Sequence, residues 1–431
     1  MKTGVAILGI GTVGGAVAQM LVKENEHLEK RSGQSLVLRH VLEREIEPHL
    51  GKFKDPSILT TQPERIFSDP QTQIVVELIG GIEPARSLIL KAIKAGKHIV
   101  TANKHLLARH GVEIFQAARK AGVSVSFEAS CGGAIPIIMA LTRGLIANDI
   151  TRVVGIVNGT CNYILSQMTL SGQSYADALR SAQQAGFAEA DPTMDVSGMD
   201  SAHKLAILAS IAFGVQVPLE KIDVTGINDI KDDDLRYGKE LGYICKLLAI
   251  GEKSDAGISL RVHPTFVPSA HLLASVSGSF NAISVIGHAA GQTIYYGRGA
   301  GGRPTSSAVL ADIIDVAMGT APILFNQLPV LTRRKTADLL PIKNVVSRHY
   351  LRMTALDEPG VMHQITGVLG RNGISLSAVV QHESRSGEYV PLVVTTHEAR
   401  DGAVTKAVEQ IDKLKCVKGA TSRIRVLDPA G

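Results

Sequence analysis

The stretch VAILGIGTVGGAVAQML, residues 5–21, passes from an apolar run through glycines into a helical pattern. Val5–Leu8 reads as a short buried strand. Gly9-Ile10-Gly11-Thr12-Val13-Gly14 follows, and Ala16–Leu21 continues as a helix. The spacing G-x-G-x-x-G has meaning only in this strand–turn–helix context. There Gly9 makes the tight turn, Gly11 lets a pyrophosphate approach the backbone, and Gly14 lets helix and strand pack closely. The free N–H groups and positive dipole end of the helix then suit a phosphate. These six residues are the expected dinucleotide-phosphate site.

Outward from this turn the alternation continues. SLVLRHVLER (35–44) reads as the second strand. An acid at its end would bind the ribose 2′-hydroxyl of NAD, and an arginine would accept the 2′-phosphate of NADP. Glu43 and Arg44 stand side by side there, with Lys52 and Lys54 beyond. NAD and NADP both stay open, with a lean to NADP through Arg44. QIVVELIGG (73–81) and HIVTANK (98–104) read as further strands. PARSLILKAIKAG (84–96) reads as a helix with a proline start and a glycine stop. GVEIFQAARKAG (111–122) is another helix, and VSVSFEASCGG (123–133) a strand entering a glycine pair. This repetition predicts a Rossmann-type doubly wound parallel α/β sheet over residues 1–136. Ligands of such sheets bind beyond the carboxyl ends of strands, where Gly80, Lys104 and Glu128–Cys131 fall.

Residues 137–300 lose the strict alternation and predict a mixed α+β substrate and dimerisation domain. Within them DPTMDVSGMDSAHKLAIL (191–208) is rich in acid and then apolar. At 100° per residue, Asp200 and Lys204 share one helical face with Leu208 and Ile211. Two readings stand: a surface i,i+4 ion pair worth about 0.3–0.5 kcal/mol, or a buried pair kept for chemistry. GRGAGGRPTSSAVLADIIDVAM (297–318) restores a glycine turn and a long helix, which suits residues 301–325 returning to the first domain. Gly297, Gly299, Gly301 and Gly302 either approach the cofactor or simply turn the chain.

The chain is long enough, at 431 residues, for about three domains. With 4% aromatic residues and no Trp, stacking platforms for nucleic acid are scarce. The short basic run Arg333-Arg334-Lys335 reads as a solvated linker, so neither nucleic acid nor membrane is an expected partner. No apolar run reaches the roughly 18–20 residues of a membrane span, and Met1-Lys2-Thr3 leads straight into a strand without a signal pattern. Four scattered cysteines without a C-x-x-C pair suit a reducing, cytoplasmic setting.

Together GIGTVGG (9–15), VVELIGG (75–81), TANKHLLA (101–108), NGTCNYIL (158–165), GFAEADPTMDVSGMDSAHKLAIL (186–208) and YYGRGAGGRPTSSAVLAD (295–312) resemble the homoserine dehydrogenase family across nearly the whole chain. The resemblance implies NAD(P)-dependent interconversion of aspartate 4-semialdehyde and homoserine in threonine, methionine and isoleucine biosynthesis. It implies that Lys204 donates the proton, with Asp200 beside it. It implies Lys104 at the cofactor–substrate junction, and Glu189 and Asp195 on the substrate's amino group. It also implies a sodium ion at Glu128 and the backbone carbonyls of Cys131, Gly133 and Ile135. Cys161 stands where the family's NGTTNYIL has Thr. A homodimer or homotetramer is expected.

A hydride added to an aldehyde leaves charge on oxygen, which a nearby ammonium stabilises and protonates. Desolvation and a second ammonium at Lys104 favour release of that proton; a carboxylate at Asp200 favours its retention. A rival mechanism would use Cys131 as a thioester-forming nucleophile of an acylating aldehyde dehydrogenase. Another class, a non-catalytic dinucleotide sensor, would need only the first domain and the tail.

Residues 326–347 read as a linker. Beyond it HYLRMTAL, GVMHQITGVLGRNG, ISLSAVVQHE, EYVPLVVTTHE, AVTKAVEQIDKL and TSRIRVL give the order βαββαβ over 348–431, a ferredoxin-like unit, with SRSG joining the middle strands. DEPG (357–360) and RNGIS (371–375) resemble an ACT domain, which implies an amino-acid effector, threonine; a plain docking module is the alternative.

Overall fold

The computed structural model describes residues 2–332, 335–382 and 387–428. Most of the SRSG connection and the Arg333-Arg334 pair lie outside the described residues. The chain forms two compact units. One comprises Met1–Val153, His203–Glu220 and Asn281–Ala337; the other comprises Val154–Ala202, Lys221–Phe280 and Asp338–Gly431. The chain passes from one to the other inside the strand Ile150–Ile156 and inside the helix Met199–Ala212.

In the first unit six strands form one parallel sheet. Their order is Leu59–Thr60, Ser35–Leu42, Lys2–Leu8, Thr72–Glu77, His98–Thr101 and Val125–Ser126. A parallel sheet covered on both faces needs nearly continuous apolar strands. Val5 to Leu8 and Ile74 to Val76 meet that need, each fully buried. Burying such a side chain contributes about 1.5–3 kcal/mol. The helix Thr12–Lys23 packs through Val17 and Leu21 into a core with Val5, Ile7, Leu36, Ile74, Val76 and Val100. Val309, Leu310 and Ile313 of the helix Gly302–Ala317 join the same core.

Several element ends differ from the sequence reading, and the strand expected over 73–81 stops at Glu77. The strand expected over 98–104 stops at Thr101, and a helix runs from Lys104 to Lys120. Asn103 caps it, its side chain accepting the Leu106 N–H at 3.1 Å. The strand expected over 123–133 covers only Val125–Ser126 and gives way to a tight helical turn, Glu128–Ser130.

The second unit is mixed. Strands Tyr243–Ser254 and Gly257–Pro268 pair antiparallel over their full length. Residues 346–426 form the βαββαβ unit, with strands ordered Val417–Val426, Val346–Leu356, Tyr389–Thr396, Leu376–Gln381. Its helices Val361–Arg371 and Asp401–Ile411 bury Ile365, Leu369, Val404 and Ile411 against Leu351, Met353, Leu392 and Val394. This unit shares a sheet with its neighbour: Thr265 and Phe266 pair with Arg425 and Val426, and the Leu427 N–H donates to the Phe266 carbonyl at 2.8 Å. Asp234, fully buried, binds the Arg352 guanidinium through both oxygens at 2.6 and 3.1 Å and accepts the Ser422 hydroxyl. Among the described residues no single helix is long and apolar enough to cross a membrane.

Candidate active site

The glycine turn has the shape its sequence requires. Gly9 has φ +91°, and a Cβ at Gly14 would lie 2.0 Å from the Gly9 carbonyl oxygen. A Cβ at Gly11, by contrast, would meet no protein atom within 4 Å. Gly11 and Thr12 are exposed at the start of the helix Thr12–Lys23, while Ile10 is buried and Val13 half-buried. The turn thus fits a pyrophosphate on its open side.

Glu43 follows the second strand and accepts two N–H groups, from Ile10 at 2.9 Å and from Arg44 at 2.9 Å. Burial pushes its carboxyl up. The two N–H bonds, with His49 and Arg44 nearby, outweigh that and hold it below the ordinary carboxylate range. Arg44 itself is exposed.

At the end of the fourth strand stands Glu77, fully buried, which sequence reasoning did not single out. It accepts the N–H groups of Ile79 and Gly80 at 2.9 and 3.0 Å and the Thr101 hydroxyl at 2.7 Å. Asn103 donates to the Gly81 carbonyl at 2.8 Å. One carboxylate thereby ties the glycine loop around Gly80 to the turn that presents Lys104. The only signal available was an acid inside an apolar strand, VVE, whose burial demands donors.

Lys104 is the first residue of its helix, so its ammonium sits at the positive end of the helix dipole, an unfavourable place that needs a reason. The next residue, His105, packs its ring on His203 with centroids 4.6 Å apart. His203 precedes Lys204, which is 7% exposed. Cys131 donates weakly from Sγ to the Lys204 carbonyl at 3.8 Å. Burial pushes the Cys131 thiol up to about 12, against the pull of the Ser130 hydroxyl and the charges of Lys204 and Lys104. Both ammoniums therefore act on one buried sulfur. A fully buried thiol held protonated is no nucleophile, which removes the thioester reading of Cys131.

Asp200 lies one turn before Lys204 on the helix Met199–Ala212 and is 4% exposed. The pair is buried, not at the surface. Asn158, at the start of the helix Gly159–Ser171, donates to Asp200 Oδ2 at 2.8 Å and to Asp195 Oδ1 at 2.7 Å. Asp195 and Asp200 are thus brought together by an asparagine that the sequence reading did not single out. Thr160 donates to the Phe187 carbonyl at 2.6 Å, fixing the segment that carries Glu189, which is exposed.

For the expected cation, the donor set is narrower than the resemblance implied. Both Glu128 carboxylate oxygens accept backbone N–H groups, from Ile138 at 2.8 Å and Met139 at 2.7 Å. Burial still pushes Glu128 up to about 7. Gly132 and Gly133 take φ +75° and +56°, turning the loop through Cys131, Gly133 and Ile135 sharply. Among the described residues no group of three or more His, Cys, Asp or Glu is gathered for a metal. Gly299 is pressed against Asn281, whose Nδ2 would lie 1.9 Å from a Cβ there, and a Cβ at Gly133 would meet the Gly299 carbonyl. Gly299 is therefore needed for close packing.

A dinucleotide turn on a doubly wound sheet and a buried lysine one helical turn from a buried acid together mark a nicotinamide-dependent dehydrogenase. Residues 136–314 match the homoserine dehydrogenase family profile, residues 9–128 its NAD-binding domain, and residues 349–413 the ACT domain. The chain is 42% identical to homoserine dehydrogenase of Pseudomonas aeruginosa over 427 residues, 98% of each chain. It is 43% identical to that of Synechocystis, covering 99% of this chain and 100% of that one. The crystal structure of a homoserine dehydrogenase from Thiobacillus denitrificans superposes with TM-score 0.94 at 43% identity, covering 100% and 99% of the two chains. A hyperthermophilic archaeal homoserine dehydrogenase solved in complex with NADPH gives TM-score 0.62 at 26% identity, over 74% and 98%. The chain belongs to the homoserine dehydrogenase family. It is an NAD(P)-dependent oxidoreductase acting on a CH–OH group, with aspartate 4-semialdehyde and homoserine as its substrate pair and a C-terminal ACT domain.

Proposed function

We propose that Lys204 is the proton donor of this reaction and that Asp200 orients its ammonium. Lys104 adds a second ammonium beside the reacting oxygen, and Asp195 and Glu189 hold the substrate's own ammonium. The nicotinamide, when bound, supplies the hydride to the aldehyde carbon. Lys204 gives its proton to the oxygen of that carbon as the hydride arrives, so one hydride and one proton make the alcohol. In the reverse direction Lys204 takes the proton back. What supports this reading most is the buried Asp200 one helical turn from the buried Lys204. An ammonium and a carboxylate withdrawn from water cost several kcal/mol unless well paired, and such groups persist where chemistry uses them. Steady-state homoserine oxidation by Lys204→Ala and Asp200→Asn tests it: unimpaired turnover in both variants ends the assignment.

Gly9 to Gly14 hold the pyrophosphate, with Gly80, Lys104 and Gly299 lining the rest of the coenzyme's path. Arg44, exposed beyond the second strand, takes the 2′-phosphate of NADP, while Glu43 is occupied by two N–H groups. NADP is thus the preferred coenzyme. A relative binding NADPH supports this choice. A sodium ion rests on the carbonyls of Cys131, Gly133 and Ile135 beside Glu128; replacing sodium by choline should lower activity.

Threonine is the proposed effector. The hollow of about 360 Å³ around Asp357, Glu358, Gly360, Met362 and Gln381 supports it. Gln381 donates to Asp357 at 3.0 Å there. Calorimetric titration with threonine tests this, with Asp357→Ala as the control. We place the enzyme in the cytoplasm as a homodimer or homotetramer. The exposed Tyr296, at an outer strand, and the exposed Val379 support assembly; mass photometry decides it.

A further inference from the structure

We propose that Asn158 is a positioning residue for this reaction: its amide group sets the two acids, Asp195 and Asp200, on which substrate grip and proton delivery depend. The inference rests on the roles given above to those acids.

An asparagine amide has two N–H donors on one nitrogen and one carbonyl acceptor. All three are used. Asn158 Oδ1 accepts the Cys161 N–H at 2.8 Å and so caps the helix Gly159–Ser171. That bond decides which end of the amide faces which way. The nitrogen must then face the acids, and it donates to Asp195 at 2.7 Å and to Asp200 at 2.8 Å. The residue is 4% exposed, so the amide has no water to fall back on. Asp195 is held from a second side, its carbonyl accepting the Cys161 thiol at 3.2 Å.

Two like charges joined through one nitrogen repel each other. A neutral group giving one N–H to each offsets that repulsion and fixes the angle between them. No other small side chain does this while also capping a helix. Aspartate and serine cap equally well. Aspartate cannot donate when ionised, and serine donates once. The geometry therefore separates the two duties of Asn158 cleanly.

The experiment compares Asn158→Asp and Asn158→Ser with Asp195→Asn and Asp200→Asn, all in the full-length enzyme. Four quantities are read: kcat, KM for homoserine, coenzyme Kd by NADPH fluorescence, and melting temperature. Asn158→Asp keeps the cap and the volume but sets a third carboxylate against two acids, so melting temperature should fall while the folded enzyme still binds coenzyme. Losing two hydrogen bonds to charged acceptors, each worth roughly a factor of ten or more, should raise KM about tenfold and lower kcat about a hundredfold. Asn158→Ser, with one donor, should fall between. If it loses only one parameter, KM or kcat, that names the acid its hydroxyl serves. A merely structural role would move melting and coenzyme binding and leave the kinetics of the folded fraction alone. The proposal is overturned if Asn158→Asp keeps kcat and KM within twofold while Asp195→Asn and Asp200→Asn are impaired. Should both acid variants be unimpaired, the roles assigned to the acids fall, and this inference with them. If Asn158→Asp does not fold, Asn158→Ser carries the same comparison.

Discussion

His105 and His203 lie ring against ring, centroids 4.6 Å apart and tilted by 54°, although 98 residues separate them in the chain. Each precedes or follows a lysine: Lys104 stands before His105, and Lys204 after His203. The contact holds the start of one helix against the middle of another. The Cys131 thiol, which donates weakly to the Lys204 carbonyl at 3.8 Å, feels the charges of both lysines.

Removing the ammonium of Lys204 should therefore strike the chemical step. Lys204→Ala is expected to lower kcat by about 10²–10⁴-fold, the usual worth of a general acid. Coenzyme affinity should stay within a few-fold of wild type. Fluorescence titration and steady-state rates on one preparation separate the two effects.

Cys131 should prove dispensable for catalysis. Its thiol is buried and held up near 12. Cys131→Ser is expected to retain turnover within about tenfold, the change being one of packing and of a weak bond. A thioester enzyme would instead lose all activity.

Cutting the Arg352 guanidinium away should destabilise the second unit. Asp234 has no exposed surface and takes two bonds from Arg352. Arg352→Leu leaves that charge short of its main partner, at a cost of about 3–5 kcal/mol. The double variant Arg352→Leu, Asp234→Leu should recover much of the loss. Chemical denaturation of the three proteins gives the answer.

Acid should unfold this unit earlier than its carboxylates alone require. Burial pushes His349 down to about 3 and His263 well below its ordinary range, helped in each case by nearby arginines. Both are neutral in the folded protein. A histidine depressed in this way contributes stability above its unfolded value of about 6.5 that is lost as pH falls toward 3. For His349 alone the loss is on the order of 5 kcal/mol. Melting temperature should drop steeply between pH 6.5 and 4, and less steeply in His349→Gln.

The coenzyme half of this protein was readable because its signals are local. A strand, three glycines at fixed spacing and a helix lie within seventeen consecutive residues. The βαββαβ tail was readable for the same reason, each element ending in its own turn residues. The strand Tyr243–Ser254 gave no such sign. Its ICKLLAI run, apolar except for the buried Lys246, is covered on both faces, so period two is erased. Lys104 was read at the end of a strand, although Asn103 before the run Leu106-Leu107 was a helix cap in plain view. Whether Lys204 was buried could not be read from its helix. That helix is buried on nearly every side, and its pattern points nowhere. Asn158 reaches Asp195 across 37 residues and Glu77 reaches Thr101 across 24, and no local spacing announces those partners.

Strand Val417–Val426 belongs to the tail by sequence order yet hydrogen-bonds to Gly257–Pro268 as a fellow member of one sheet. A chain amputated before residue 346 would therefore not be a clean, unregulated enzyme. It would carry a raw β-edge at Thr265 and Phe266, with Asp234 stripped of its counter-charge beside it. Such an edge recruits other chains, so clumping alone would abolish a truncated preparation's response to the proposed effector. Desensitised variants are better sought by single changes around Asp357.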